Sequence, residues 1–174
     1  MIVKTIKQYY RWALRDIGLL ENYKVKQTMI VKCYYPGFHE KQQQFDDDII
    51  DGEERQQEFT EAVTTDLERR LKTLGESWRK LLWNQRTKDY TIRPPTLYAF
   101  AVIQHIVMLV SLDSADENKP FVILDQIALN DRGAWLWNAL SIAIPINLVR
   151  DTIHHTRHPK VVVLRENAGY DADV

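Results

Sequence analysis

Residues 97–129 constrain the fold more than any other stretch of the chain. They read LYAFAVI, IVMLVSL and FVILDQIAL, three apolar runs rich in Val, Ile, Phe and Tyr. Runs of this length and composition fit strands that are buried on at least one face. The polar segment SADENKP separates the last two. The first break, at Gln104-His105, has no glycine and makes a poor two-residue hairpin turn. Residues 97–112 are therefore open to three readings: two strands, one long strand, or a buried helix. Periodicity alone does not choose among them.

A sheet needs covering layers, and the chain supplies amphipathic helices for them. From Phe59 to Trp83, apolar residues recur three or four apart at Phe59, Val63, Leu67, Leu71 or Leu74, Trp78, Leu81 and Leu82. That is the stripe of an amphipathic helix. Glu68 and Glu76 stand four residues before Lys72 and Lys80, the favourable order for helical ion pairs. Gly75 is a soft point, costing about 1 kcal/mol relative to alanine. Ile2 to Leu20 forms a second amphipathic helix ending near Gly18, with Lys4, Lys7, Arg11 and Arg15 mostly between its apolar positions. Asn130 or Asp131 can N-cap a third helix from Arg132. Its apolar residues spread so widely that burial on more than one side is expected. Pro145 should kink it.

Between the first two helices, Tyr23 to Tyr35 alternates with a period near two and reads as a strand that stops at Pro36-Gly37. Residues 38–55 contain HEKQQQ and the acids Asp46, Asp47, Asp48, Asp51, Glu53 and Glu54. With few apolar anchors they read as a mobile acidic loop, whose end can supply an acidic first turn to the next helix. Val161 to Leu164 makes a short final strand, and residues 166–174 read as a frayed tail.

The chain has 174 residues, which suits one domain spanning 1–174, with residues 1–22 packed on it or held out as an arm. The expected class is α+β. A mixed or antiparallel sheet of four to five strands should be flanked by the long helix and a buried C-terminal helix. The net charge of −1 argues against a broadly basic nucleic-acid binder. The basic start of the chain leaves nucleic acid a less favoured partner. One cysteine, Cys33, excludes an internal disulfide and fits a reducing compartment. No apolar run reaches the roughly 20 residues of a membrane-spanning helix. The expectation is an intracellular protein, cytoplasmic or nuclear, with no membrane partner.

From the long helix onward the order is helix, three strands, helix, strand. This resembles the core of restriction-endonuclease-like folds. The resemblance implies a catalytic aspartate comparable to Asp113. It also implies an acid-any-lysine motif comparable to Asp125-Gln126-Ile127 on the next strand, where the carboxylates hold a divalent cation. Here Ile127 replaces the lysine. Glu117-Asn118-Lys119 has the motif's spacing but lies in a loop. The likeness therefore points to a scaffold without that chemistry, or to a nucleic-acid enzyme with a relocated site.

Other constellations have plainer explanations. His154 and His158 share the spacing of a zinc pair, but they lack the glutamate of HExxH, and cations are favoured at a helix C-terminus. His105, within an apolar run, is a possible base but reads more readily as a core histidine bonded to backbone. Cys33 has no nameable activating group. The acidic run misplaces the glycine of a calcium loop. There is no phosphate-binding glycine motif and no nucleophile elbow. No catalytic residue, cofactor or metal ligand is assigned. Large aromatics in polar surroundings remain: Trp12, Tyr34, Tyr35, Phe38 and Phe45. They are candidate anchors for a protein partner, and a non-enzymatic interaction domain is the expected function.

Overall fold

The computed structural model describes residues 2–18, 23–25, 27–35, 52–131, 133–156 and 162–164. The acidic segment as far as Asp51, the Pro36-Gly37 turn and the tail at 166–174 lie outside the described residues.

Helix α1 runs Ile2–Asp16. It closes as its composition predicts: Gly18 takes a φ of 73° and its N–H donates to the Arg15 carbonyl at 2.8 Å. The strand expected over 23–35 is two strands. β1 (Tyr23–Val25) pairs antiparallel with the last strand, β8 (Val162–Leu164). β2 (Met29–Tyr34) joins the main sheet. The chain between them is held from both sides. Tyr10 Oη lies 3.1 Å from the buried Thr28 hydroxyl, and the Trp78 indole N–H donates to the Gln27 carbonyl at 2.8 Å.

Helix α2 runs Gly52–Leu82, seven residues earlier than its apolar stripe begins. Residues 52–55 of the expected loop are therefore helical. Val63, Leu67, Leu71, Trp78 and Leu82 are its buried positions. A small hairpin follows, β3 (Trp83–Asn84) with β4 (Asp89–Tyr90), which the sequence reading did not anticipate.

The 97–112 run resolves into two strands, β5 (Thr96–Ile103) and β6 (Ile106–Asp113). They form a hairpin closed by the Ile103–Ile106 pair, with Gln104 at a φ of 51° in the position where glycine is usual. β7 (Val122–Ala128) pairs antiparallel with β6, with a register shift at Leu109/Val110. The sheet order is β2-β5-β6-β7, with β2 parallel to β5 and the other pairs antiparallel. Its fourth strand thus comes from before the long helix, and β8 pairs elsewhere.

Helix α3 runs Trp135–Thr156 and continues across Pro145. It starts later than expected, because Asp131 first forms a turn, its carboxylate accepting the Gly133 N–H at 2.8 Å.

The fold is a single α+β domain in three layers. Alternation along the strands divides the core. Leu97, Ala99, Ala101, Met108, Val110 and Leu112 pack on α2. Phe100, Val102, Val107, Leu109 and Ile127 pack on α1 and α3. Of α3, Ile146, Val149 and Ile153 are buried. One expectation is corrected: the helix is covered along one face only. Trp135, Leu136, Trp137, Leu140, Ile144 and Leu148 stay exposed.

Candidate functional site

Helices α1 and α3 run side by side under the sheet. Their later halves are packed together: Leu14 and Ile17 meet Val149 and Ile153. Arg150 reaches Asp16 at 3.7 Å, and the Asn147 amide donates to the Tyr9 hydroxyl at 3.2 Å. Their first halves are apart. α3 presents small residues there, Ala139 and Ala143, and the sheet end supplies Leu129. The result is a groove of about 470 Å³ whose α1 wall is Ile2, Thr5, Ile6 and Tyr9 and whose α3 wall is Ala139, Ile142 and Ala143. A cleft of this size and apolarity lies within the range of ligand-binding pockets.

The face of α1 turned away from the groove is basic. Lys4, Lys7, Arg11 and Arg15 are all exposed on the outer side of α1, whose one acid, Asp16, pairs with Arg150. Trp12 stands at the rim. It is 53% exposed and stacks on Tyr9 with ring centroids 5.5 Å apart. A smaller cavity of about 220 Å³, lined in part by Ile2, Cys33, Tyr35 and Gln104, shares Ile2 with the groove.

Of the five aromatics singled out in the sequence, the three that are described do not form one patch. Trp12 borders the groove. Tyr35 is 68% exposed beside the smaller cavity. Tyr34 is 1% exposed and belongs to the core under α2, so it offers no contact surface. Its period-two position turns it inward while Tyr35 points out. Phe38 and Phe45 lie outside the described residues. The groove itself was not read from the sequence. Its only signal there is the apolar character of α3 all round, which predicts burial without saying against what.

Among the described residues two carboxylates, Asp66 and Asp113, have perturbed acidity, and both are bound by cations of the chain. Asp66 on α2 is contacted by Lys32 at 2.7 Å, Arg69 at 2.6 Å and Arg70 at 2.8 Å, and accepts the Tyr34 O–H at 2.8 Å. Burial pushes the Asp66 carboxyl up, but the hydrogen bonds from Lys32, Arg70, Tyr34 and Arg69 outweigh it and hold the group well below the usual carboxylate range. Burial and the Asp66 anion raise the Tyr34 phenol. Asp113 is likewise lowered: burial opposes ionisation, and Lys119, the Ala115 N–H and Arg93 more than offset it.

Asp113 and Asp125 do not converge. Asp125 pairs with Leu109, four residues from Asp113 along β6, a separation of roughly 13 Å at strand rise. Lys119 and Arg93 occupy the Asp113 carboxylate at 3.0 and 2.9 Å. Among the described residues, no group of three His, Cys, Asp or Glu side chains is placed to hold a metal ion. His105 is exposed at the tip of the β5–β6 hairpin, not in the core, and its carbonyl accepts the Leu129 N–H at 2.8 Å. His155 Nδ1 lies 2.7 Å from the Asp151 carbonyl, and His158 lies outside the described residues. Among the described residues no helix is long and apolar enough to cross a membrane.

No protein-family model matches the chain, and no curated protein or solved structure shows significant similarity to it.

Proposed function

We propose that this chain is a non-enzymatic protein-interaction domain. It receives an apolar helical segment with acidic flanks from a partner protein. The observation that carries the reading is the open groove between α1 and α3. Its walls are aliphatic apart from Thr5 and Tyr9, and four cations lie along the outer side of α1. An amphipathic helix lays its apolar face into such a groove, and the cations on the far face of α1 speed encounter with an acidic segment through their longer-range field. Trp12 on Tyr9 would close over one end as an aromatic anchor. The single free cysteine suits work inside the cell, where thiols stay reduced.

Two synthetic peptides test this. Both carry leucines at positions i, i+3, i+4 and i+7, one with glutamates elsewhere and the other with lysines. Fluorescence anisotropy should show saturable binding of the acidic peptide, with a Kd on the order of 10 μM that weakens as salt rises. The basic peptide should bind at least tenfold more weakly. Ala143→Trp, which fills the groove, should remove binding, and Trp12→Ala should weaken it. Absence of saturable binding by the acidic peptide, or binding untouched by Ala143→Trp, would refute the proposal.

A further inference from the structure

We infer that the outer face of α3 is a two-fold interface between two copies of this chain. The face is distinct from the groove. Trp137, Leu140, Ile144 and Leu148 recur three or four apart and fall on one line along the helix, with Leu136 beside them. They are between 40% and 71% exposed. From Trp135 to Val149 the helix carries no ionisable side chain at all. An outward helix face in a lone domain is normally charged.

The area matches what a stable dimer needs. The five side chains expose about 500 Å², taking roughly 250 Å² for a fully exposed tryptophan and 180 Å² for leucine or isoleucine. A standard interface takes about 800 Å² from each partner, and homodimer interfaces are about 65% apolar, again roughly 500 Å². The polar rim is available in Ser141 and Asn138.

The occupant is a second copy because the stripe complements itself. Its spacing of three, four and four reads almost the same in either direction. Antiparallel pairing about a two-fold axis sets Trp137 against the partner's Leu148, and Leu140 against the partner's Ile144. Each contact then occurs twice, as an isologous interface requires. Antiparallel helices also oppose their dipoles favourably. With no charge on the stripe, nothing on it selects a heterologous partner by electrostatics.

Sedimentation equilibrium of the full chain at about 50 μM tests the inference. A mass twice the chain's 20.5 kDa is expected. Ile144→Glu should return the mass to that of one chain with the far-ultraviolet circular dichroism unchanged. In case that variant unfolds, Ser141→Cys in a Cys33→Ala background supplies a second measurement. Mild oxidation should cross-link it into covalent dimers, while Lys72→Cys on α2 should not cross-link. A wild-type mass of one chain, or equal cross-linking at the two positions, overturns the inference. So does a single-chain species that sediments with phosphatidylcholine–phosphatidylserine vesicles through Trp137, which would assign the face to a lipid surface. The groove reading fails or stands separately: Ala143→Trp should leave the dimer mass unchanged, and Ile144→Glu should leave the groove walls intact.

Discussion

The Tyr34 phenol donates a 2.8 Å hydrogen bond to the Asp66 carboxylate, tying β2 to α2 across 32 residues of sequence. The same oxygen meets Lys32 and Arg70, and the other meets Arg69. Asp66 is therefore the hub on which the sheet's parallel edge strand meets the long helix. Asp66→Ala leaves a buried phenol and a half-buried ammonium without their anion. It should cost about 2–3 kcal/mol. Tyr34→Phe leaves the three cations in place and should cost about 1–2 kcal/mol. Chemical denaturation of the three proteins checks both values. A loss below 0.5 kcal/mol for Asp66→Ala, on the scale of an exposed ion pair, would show that the hub is only a surface arrangement.

Acid should weaken the fold through the same group. The Asp66 and Asp113 carboxyls both ionise more readily in the folded chain than in an unfolded one. Below about pH 4, the ordinary carboxylate range, the unfolded state binds protons that the folded state resists, so unfolding gains free energy as pH falls. The stabilisation is present above that range and is lost on descent through the folded-state values. Thermal midpoints should be level from pH 7 to 5 as far as these two groups decide it, then drop steadily from pH 4 to 2. Asp66→Asn should show a shallower drop than wild type over that lower range. An equal slope would remove Asp66 from the account.

Gly75 sits in the middle of α2, where its missing side chain matters. A Cβ there would meet the Ser114 Cβ at 3.3 Å and Leu112 Cδ2 at 3.8 Å. The glycine lowers helix propensity by about 1 kcal/mol yet lets the helix approach the end of β6. Gly75→Ala trades these two effects and should change stability by under 1 kcal/mol in either direction. Gly75→Val adds two methyls beyond that Cβ against the same neighbours and should destabilise by about 1–3 kcal/mol. Thermal unfolding of both variants distinguishes close packing from simple helix weakness, which valine would partly repair.

What the sequence disclosed follows from which interactions are local. The stripe Val63, Leu67, Leu71, Trp78 and Leu82 is written in one helix's own spacing, so it was legible, and so were the three strand candidates. The division of Tyr23–Tyr35 was not, because it depends on Trp78 and Tyr10 holding the chain at Gln27 and Thr28 from distant positions. Tyr34 looked like an interface aromatic beside charged and polar neighbours. Only the partner on α2 shows that one of those neighbours, Lys32, is neutralised together with it at Asp66. The β3–β4 hairpin has no glycine in its turn, and Lys88 takes a φ of 53° there. Local turn chemistry therefore gave no warning. The all-round apolarity of α3 was visible, but apolar residues state only that a surface favours cover. They do not state that the cover belongs to the same chain, which is why the exposed stripe and the groove beside it were read as interior.

The β5–β6 hairpin offers the sharpest local test, because its register is fixed by pairs on both sides of a strained turn. Ile103 pairs with Ile106, Val102 with Val107 and Ala101 with Met108, leaving Gln104 and His105 as a two-residue connection. Gln104 holds a φ of 51°, a left-handed conformation that costs an L-residue roughly 1–2 kcal/mol and glycine almost nothing. Gln104 is exposed, so no buried contact is lost on its removal. Gln104→Gly should therefore stabilise the protein by about 0.5–1 kcal/mol, the relief being partly offset by glycine's greater freedom in the unfolded chain. A β-branched residue there should act oppositely, and Gln104→Val should destabilise by at least 1 kcal/mol. Denaturant midpoints for the pair give the answer. If glycine weakens the fold and valine is tolerated, the turn is not left-handed at residue 104, and the strands must be joined in some other way.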